Sequence, residues 1–307
     1  MTHRRAVFLM VLVTLLWSMA GAVTRHLDAA RSFEITFWRS AFNAVALALA
    51  LSWLRGPALW RNLLGSPWTV WVSGACWAVM FTAFMVALSL TSVANVLVTM
   101  AIGPLITALF SRLFLGHRLP LRTWLSIAAA GAGIAWMFGQ GVSAAQPGVV
   151  AGTLVALAVP LAAAVNFTLL QHVGHGAAQG EGDDMLPAVL IGAIGSSLVT
   201  LPLAWPLQAS LHDVGLLGLL GVFQLALPCL VVVRLSRVLP APELSLLQLL
   251  EVIFGVLWVW LFAGEAPGRT ALTGGALVLG ALLANELLAP RVRCGAAPAA
   301  GRPSPTR

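Results

Sequence analysis

The sequence predicts an all-α membrane protein with about ten transmembrane helices in two inverted five-helix repeats. Three features predict this fold: the composition, the long apolar segments and the positions of the arginines. Hydrophobic residues make up 60% of the 307-residue chain and charged residues only 9%, whereas soluble domains carry about 25% charged residues. Such a chain cannot cover a globular surface with charge, so most of its outer surface must face lipid. This composition argues against a soluble enzyme, a nucleic-acid-binding module and a disordered protein.

The apolar segments are continuous rather than alternating, which favours helices over the strands of a barrel. A helix needs about 20 apolar residues to cross about 30 Å of hydrocarbon. The divisions between the third and fourth segments and around the fifth segment are the weakest, so nine spans is the alternative count. The ten predicted spans are residues 7–24, 34–54, 68–90, 94–114, 122–139, 149–172, 185–205, 214–234, 243–262 and 270–288.

The first span has two interpretations. His3, Arg4 and Arg5 precede an apolar run that ends near Ser18, which resembles a signal peptide. The other interpretation is a transmembrane helix that is retained. We favour the retained helix, because the apolar run continues to Val23 and nine further spans follow.

The arginines predict the orientation. All 17 basic residues are arginine and the net charge is +7. If the N-terminus lies inside, thirteen arginines fall in inside segments and three (Arg25, Arg31 and Arg269) in outside segments, as the positive-inside rule requires. Both termini are therefore predicted to be cytoplasmic. The loop at 173–184 is the exception, because it carries three acidic residues and no arginine.

Two short segments suggest that the chain is duplicated. Residues 109–116 (LFSRLFLG) and 257–264 (LWVWLFAG) share the pattern L-x-x-x-L-F-x-G at an offset of 148 residues. Five spans per half is an odd number, so the second half must be inverted relative to the first. Inverted repeats are typical of transporters, with the substrate site between the repeats near mid-membrane. The predicted domains are 6–139, 149–288 and a disordered cytoplasmic tail at 290–307.

Several short motifs resemble those of the drug/metabolite transporter superfamily, in its EamA-type ten-helix group. The resemblance covers residues 6–288, and the departures from the family pattern are Ser18, His117 and Val252. It implies two five-helix repeats that carry out secondary transport of small metabolites, often export, in a bacterial inner membrane. The motifs are Leu16–Trp17–Ser18, Phe37–Trp38–Arg39, Ile102–Gly103–Pro104 with Gly116, and Leu250–Glu251 with Gly264–Glu265.

Arg39 is the first candidate substrate-binding residue. It lies inside the second span, about five residues from the outer end, and an arginine at a helix centre costs about 2.5–3.5 kcal/mol to insert. In a central cavity, its charge would pair with a substrate carboxylate or an acidic side chain. The alternative is a side chain that snorkels to the outer surface. Asn43, four residues on, lies on the same helix face and is a second candidate.

Glu251 is the candidate proton-coupling residue. It lies about nine residues into the ninth span, near the midplane, where a carboxylate must be protonated, paired or in contact with water. Burial favours its neutral form, which would let it take up and release a proton during transport. The alternative is a structural carboxyl group, including a partner for Arg39. Gln248 lies three residues away on the same face.

Trp17 and Asn95 complete the candidate substrate-binding residues, as possible walls of a cavity. The alternatives are packing for Trp17 and an interhelical hydrogen bond for Asn95, which is worth about 0.6 kcal/mol on average. Weaker candidates of the same kind are Thr99, Asn166 and Gln224. Three prolines inside spans, which predict kinks or breaks, are Pro104, Pro160 and Pro228.

The sequence predicts no catalytic residues, no cofactor and no metal site. His172 and His175 have metal-ligand spacing but no evident third ligand, and no phosphate-binding loop occurs. The predicted partners are a small-molecule substrate, the lipid bilayer and protons if Glu251 titrates. Nucleic acid is not a predicted partner, and the oligomeric state stays open.

The leading hypothesis for function is a secondary transporter that works by alternating access, with export favoured by the family resemblance. The substrate stays open between an amino acid, another small metabolite and a drug. Two hypotheses from other classes are an intramembrane lipid-modifying enzyme and a non-transporting membrane scaffold. The enzyme would need catalytic groups clustered at one membrane depth, whereas Arg39 and Glu251 lie in different halves.

Overall fold

All regular structure in the described part of the chain is helical. The computed structural model describes residues 1–24, 26–30, 32–56, 58–91, 93–116, 119–139, 149–178, 183–263 and 268–288. Nine helical stretches among these residues are long and apolar enough to cross a membrane. They are His3–Thr24, Phe33–Arg55, Trp68–Leu90, Asn95–Phe114, Leu121–Phe138, Val150–Gly174, Leu186–Ala204, Leu211–Leu235 and Ala241–Phe262.

The tenth predicted span is also helical. It forms a 19-residue helix, Arg269–Leu287, which packs against the helix Leu121–Phe138. The fold class predicted from the sequence, an all-α membrane protein, is confirmed. The predicted tail at 290–307, His117 of the fourth-span motif and Gly264–Glu265 of the ninth-span motif lie outside the described residues.

Several spans consist of more than one helix, and the helices are numbered here in chain order. A π-helical segment, Leu220–Ala226, lies between α11 and α12. The helices are α1 His3–Trp17, α2 Met19–Thr24, α3 Ser32–Arg55, α4 Ala58–Leu64, α5 Trp68–Leu90, α6 Val93–Met100, α7 Gly103–Phe114, α8 Leu121–Phe138, α9 Val149–Ala178, α10 Leu186–Ala204, α11 Leu211–Leu219, α12 Leu227–Leu235, α13 Ala241–Gln248, α14 Leu250–Ala263 and α15 Arg269–Leu287.

The fourth and ninth spans are interrupted near their middle, and the first span is interrupted in its last third. The break in the first span is at Ser18, that in the fourth at Ala101–Ile102 and that in the ninth at Leu249. At the last two breaks the backbone tightens to a three-residue spacing, because Ile102 N donates to Thr99 O (3.3 Å) and Leu249 N to Leu246 O (3.2 Å). Such interruptions are tolerated at membrane depth only where they are buried in protein or line a cavity.

The breaks in the fourth and ninth spans are related by the repeat offset. Adding 148 to Ala101, the first residue of the fourth-span break, gives Leu249, where the ninth span breaks. The two L-x-x-x-L-F-x-G segments therefore end two spans that break at the same point. The duplication is visible in the backbone as well as in the sequence.

The central helices approach one another closely at glycines. Helix α5 packs against both α9 and α10, and α10 also packs against α3. A Cβ on Gly192 of α10 would lie only 2.3 Å from Trp77 Cβ of α5, and a Cβ on Gly274 of α15 would lie 2.5 Å from the carbonyl oxygen of Gly133 in α8. Small residues permit this close packing of membrane helices.

Two buried acidic side chains join loops at the end of the bundle that is predicted to be outside. Asp213 of α11 accepts hydrogen bonds from the backbone N–H groups of Asp28 (2.8 Å), Ala29 (3.0 Å) and Ala30 (3.1 Å). Glu34 of α3 accepts from the N–H groups of Gln208 and Ala209, at 2.9 and 2.8 Å. Each half thus binds a loop of the other.

Acidic residues of the loop at 173–184 lie beside an arginine at the opposite end. Asp184 forms an ion pair with Arg55 at the end of α3, and Asp183 accepts a hydrogen bond from Thr69 Oγ1 at 3.0 Å. The loop that departs from the positive-inside pattern therefore lies at the end of the bundle that carries Arg55. Its third acidic residue, Glu181, lies outside the described residues.

Candidate functional site

A cavity of about 550 Å³ lies between the two halves, where the interrupted spans meet. Its walls come from both sequence halves and are mainly apolar. The cavity extends from the breaks toward the end of the bundle where Asp213 and Glu34 bind the loops, because its lining includes Thr24 at the end of α2, Leu88 near the end of α5 and Phe138 at the end of α8.

The interrupted fourth and ninth spans contribute equivalent positions to this cavity. Four pairs of residues separated by the 148-residue offset all line it, so the two breaks contribute to one space. Glu251 occupies the position that Gly103 occupies in the first half, and the acidic group is therefore present in one repeat only. The pairs are Leu97 and Ser245, Met100 and Gln248, Gly103 and Glu251, and Pro104 and Val252.

Arg39 of α3 lines the cavity and is buried within the bundle, with 3% of its surface exposed. Its Nε and Nη1 atoms have no hydrogen-bond partner among the described residues. The π-helical segment packs closely on the backbone here, since a Cβ on Gly221 would lie 2.7 Å from Arg39 O. A buried guanidinium with unused donors is costly unless another group binds it.

Glu251 and Gln248 line the same cavity from the two sides of the ninth-span break. Gln248 is the last residue of α13, and Glu251 lies in the first turn of α14. No ion pair joins Glu251 and Arg39 within the described ranges. The two charged candidates predicted from different halves therefore face one space while their polar atoms stay apart.

Trp17 also lines the cavity, and its backbone carbonyl is bonded within the protein. The carbonyl oxygen accepts a hydrogen bond from Gln224 Nε2 at 3.1 Å, and α1 also packs against α12. These contacts join the end of α1 to the π-helical segment and α12. Trp17 thus combines the two roles considered from the sequence, a cavity wall and a packing residue.

Asn43 and Asn95 do not line the cavity. Asn43 is fully buried in α3, next to Gly221: a Cβ on Gly221 would lie 2.9 Å from Asn43 N. Asn95 is buried in α6, where its Nδ2 donates to Thr91 Oγ1 at 2.8 Å. Of the six predicted site residues, the structure brings Trp17, Arg39, Gln248 and Glu251 together and leaves these two outside.

A second, smaller chamber of about 80 Å³ adjoins the cavity. The two spaces share a boundary that includes both charged residues. The chamber continues past them between aromatic side chains of α5 and α9. The shared residues are Trp17, Arg39, Phe84, Met100, Gln248 and Glu251, and the additional chamber residues include Trp77, Phe81, Phe167, Gln224 and Cys229.

No pattern in the sequence selects Trp77, Phe81 or Phe167 as site residues. Aromatic residues within a continuous apolar run have the same pattern whether they pack a core or line a chamber. Gln224 was noted as a weak candidate because amides are uncommon in spans. Ser18 also gained a role in the structure, because its Oγ accepts a hydrogen bond from Trp258 Nε1 at 2.9 Å across the first-span break.

The chemistry of the site suits solute binding. One guanidinium, one carboxyl group and one primary amide border an apolar space large enough for a small organic molecule. Within the part of the chain that the structure describes, no cluster of three or more histidine, cysteine or acidic residues could hold a metal ion.

Comparisons with known proteins agree with this architecture. The model of the EamA-like transporter family matches residues 4–139 and again residues 150–285. The pseudopaline exporter CntI from two strains of Pseudomonas aeruginosa is 26% identical over 287 residues, covering 92% of this chain and 95% of the exporter. A crystal structure of another protein, 20% identical, aligns with a TM-score of 0.77 over 94% of this chain and 99% of that one, which supports the fold. The chain belongs to the EamA-like transporter family.

Proposed function

We propose that this protein is a secondary active exporter that moves a small organic metabolite, amino acid or drug across a bacterial inner membrane by alternating access. The observation that carries the proposal is the cavity between the two repeats, bordered by equivalent breaks in the fourth and ninth spans. Interrupted helices at a repeat interface are the common location of substrate sites in secondary transporters.

The arginine distribution supports an orientation with both termini in the cytoplasm. In that orientation the cavity opens toward the outside, because its lining includes the outer ends of the first, third and fifth spans. Thr24, Leu88 and Phe138 mark this outer part of the wall. The described conformation then corresponds to the outward-facing state of the transport cycle.

Contacts at the opposite end support closure on the cytoplasmic side. The N–H of Ala241 at the start of α13 donates to Gln171 Oε1 of α9 at 2.8 Å. His3 Nε2 of α1 lies 3.1 Å from Glu243 Oε1 of α13. Helices α1, α9 and α13 are thus joined at their inner ends, and an inward-facing state requires these contacts to separate.

The direction of transport is proposed from a relative. The similar Pseudomonas aeruginosa protein is described as an exporter of pseudopaline, and the two chains align over nearly their whole lengths. We assign Arg39 to substrate binding, Trp17 to the cavity wall, and Asn43 and Asn95 to helix packing. We assign Glu251, with Gln248 beside it, to proton coupling, since its carboxyl group borders the space from which a proton would be exchanged.

Transport is tested with purified protein in liposomes, by measuring counterflow of amino acids, nucleobase-like metabolites and lipophilic cations. We expect saturable exchange of at least one class and stimulation by an imposed proton gradient. Glu251→Gln should retain counterflow, which needs no net proton movement, and lose the stimulation. Asp28→Asn, an equivalent change at an exposed loop carboxylate, should behave as the wild type.

Two results would contradict different parts of the proposal. A protein that exchanges no member of the panel above protein-free liposomes is not the proposed transporter. If Glu251→Gln keeps the full stimulation by the gradient, the proton-coupling role of Glu251 is contradicted and the transport proposal still stands. The scaffold alternative predicts no transport at all, and the lipid-modifying enzyme predicts altered lipids in the same liposomes.

A further inference from the structure

We propose that the 80 Å³ chamber beside Arg39 is the subsite for a carboxylate group of the transported solute, with the indole N–H of Trp77 as a second donor. This inference rests on the proposed transport function. It adds a substrate class, organic acids including amino acids, and a specificity-determining residue, Trp77.

Three residues that line the chamber carry buried side-chain atoms without a hydrogen-bond partner among the described residues. These atoms are Nε and Nη1 of Arg39, Nε1 of Trp77 and Oε1 of Gln224. The three residues are 3%, 2% and 6% exposed, respectively. Buried polar groups in native proteins are paired in the large majority of cases. Three unpaired groups around one small space therefore indicate that a polar ligand group completes them.

The donors select an anion of planar, two-oxygen geometry. A guanidinium donates several N–H groups in a fork that matches a carboxylate, and an indole only donates. A carboxylate offers two acceptor oxygens, one for each of the two donor residues. A cationic or purely hydrogen-bond-donating group would leave these donors unused.

The acceptor in the chamber defines what lies next to the carboxylate. Gln224 Nε2 donates to the carbonyl of Trp17, and a carbonyl can only accept. This contact fixes the orientation of the amide and leaves its Oε1 available. Oε1 suits an N–H or O–H group adjacent to the carboxylate, such as an α-amino or α-hydroxy group.

The chamber suits a head group of the solute better than a whole solute, because its volume is about 80 Å³ against about 550 Å³ for the adjoining cavity. The apolar remainder of the solute would lie in the adjoining 550 Å³ cavity, and Glu251 at their shared boundary would face a cationic group.

Trp77 is held rigidly enough to serve as a fixed donor. Its Cβ lies against Gly192 of α10, where any larger residue would collide at 2.3 Å. Its ring contacts Phe81, with the centroids 5.6 Å apart. The chamber walls are mainly apolar, which strengthens hydrogen bonds to a charged group.

The test measures the melting temperature of the purified full-length protein with small acids at constant ionic strength. The probes are phenylacetate and L-leucine, each compared with its carboxamide. A ligand that binds the folded state raises the melting temperature. We expect both acids to stabilise the wild type and both carboxamides to have little effect. This comparison requires no variant and so is independent of how a substitution affects folding.

Trp77→Phe removes the indole N–H and keeps an aromatic ring. We expect the apparent Kd for the acids to rise about tenfold, as for the loss of one hydrogen bond to a charged group. The matched control is Trp136→Phe in α8, because the Trp136 indole donates to Thr273 Oγ1 at 2.9 Å and lies outside both spaces. Arg39→Gln should abolish the stabilisation.

Three results would overturn the inference. These are equal stabilisation by acids and carboxamides, no stabilisation by any probe, or a Trp77→Phe variant that binds the acids as tightly as Trp136→Phe does. The transport proposal is separated from this one by counterflow. A protein that exchanges only neutral or cationic solutes retains the transport function and loses the carboxylate subsite.

Discussion

Burying charged side chains in a membrane protein has a free-energy cost, which their surroundings must offset. Arg39 is placed in the α3 wall with free donors, and Glu251 borders the same cavity without contacting it. A direct ion pair would have satisfied both groups and left little affinity for a solute. Their separation keeps both charges available to a ligand, which is the residue-level basis of the proposed substrate site.

Asp213 illustrates how a single side chain stabilises the outer loops. Asp213→Ala should leave the N–H groups of residues 28–30 without their acceptor and destabilise this end of the bundle by about 1–3 kcal/mol. Hydrogen–deuterium exchange of residues 26–30 should become faster. His212→Ala, the neighbouring exposed position, serves as the control. Unchanged exchange in Asp213→Ala would mean that the loop is held by other contacts.

The charged site residues and Trp17 could be predicted from the sequence, and the other aromatic residues of the chamber could not. Arg39 and Glu251 stand out because charges inside apolar spans are rare and costly. Trp77 and Phe167 lie in apolar runs where packing and ligand contact leave the same pattern. Asn43 and Asn95 were selected as polar residues in spans, but helix rotation decides which side of a helix faces the cavity, and the sequence does not determine that rotation.

At the scale of helices, the interruptions and the glycine contacts determine the shape of the site. The fourth-span break precedes Pro104, so proline signals it, whereas the breaks at Ser18 and Leu249 carry no proline. Pro228 follows the π-helical segment, and Pro160 lies within an unbroken α9. Proline alone therefore does not predict where these spans break. Adding the repeat offset to the position of the fourth-span break does predict the position of the ninth-span break.

Gly192 tests the close contact of α5 and α10. Gly192→Ala would place a Cβ 2.3 Å from Trp77 Cβ and 3.0 Å from Gly74 O, so the helices must move apart, at a cost of about 1–3 kcal/mol. The melting temperature in detergent should fall. Gly280→Ala in α15, where no atom lies within 4 Å of the added Cβ, should leave it nearly unchanged. Equal melting temperatures for the two variants would contradict the close contact of α5 and α10 at Gly192.

At the scale of the molecule, the two halves border one cavity, and the proposed mechanism needs it to open to each side of the membrane in turn. Contacts of α13 with α1 and α9 lie at one end of the bundle, while the cavity extends toward the opposite end. Transport by alternating access requires the reverse arrangement to form as well. We expect the equivalent breaks in the fourth and ninth spans to be the points at which each repeat changes conformation.

The most direct test of the central claim, transport through the cavity between the repeats, is counterflow by Gly103→Leu. A Cβ at Gly103 would lie 3.5 Å from Pro160 Cβ, an ordinary contact, so the variant should fold while its side chain occupies the cavity. We predict loss of counterflow, with wild-type rates for the control Gly280→Leu in α15. Wild-type counterflow by a folded Gly103→Leu protein would contradict this account, because the solute would then have to cross elsewhere.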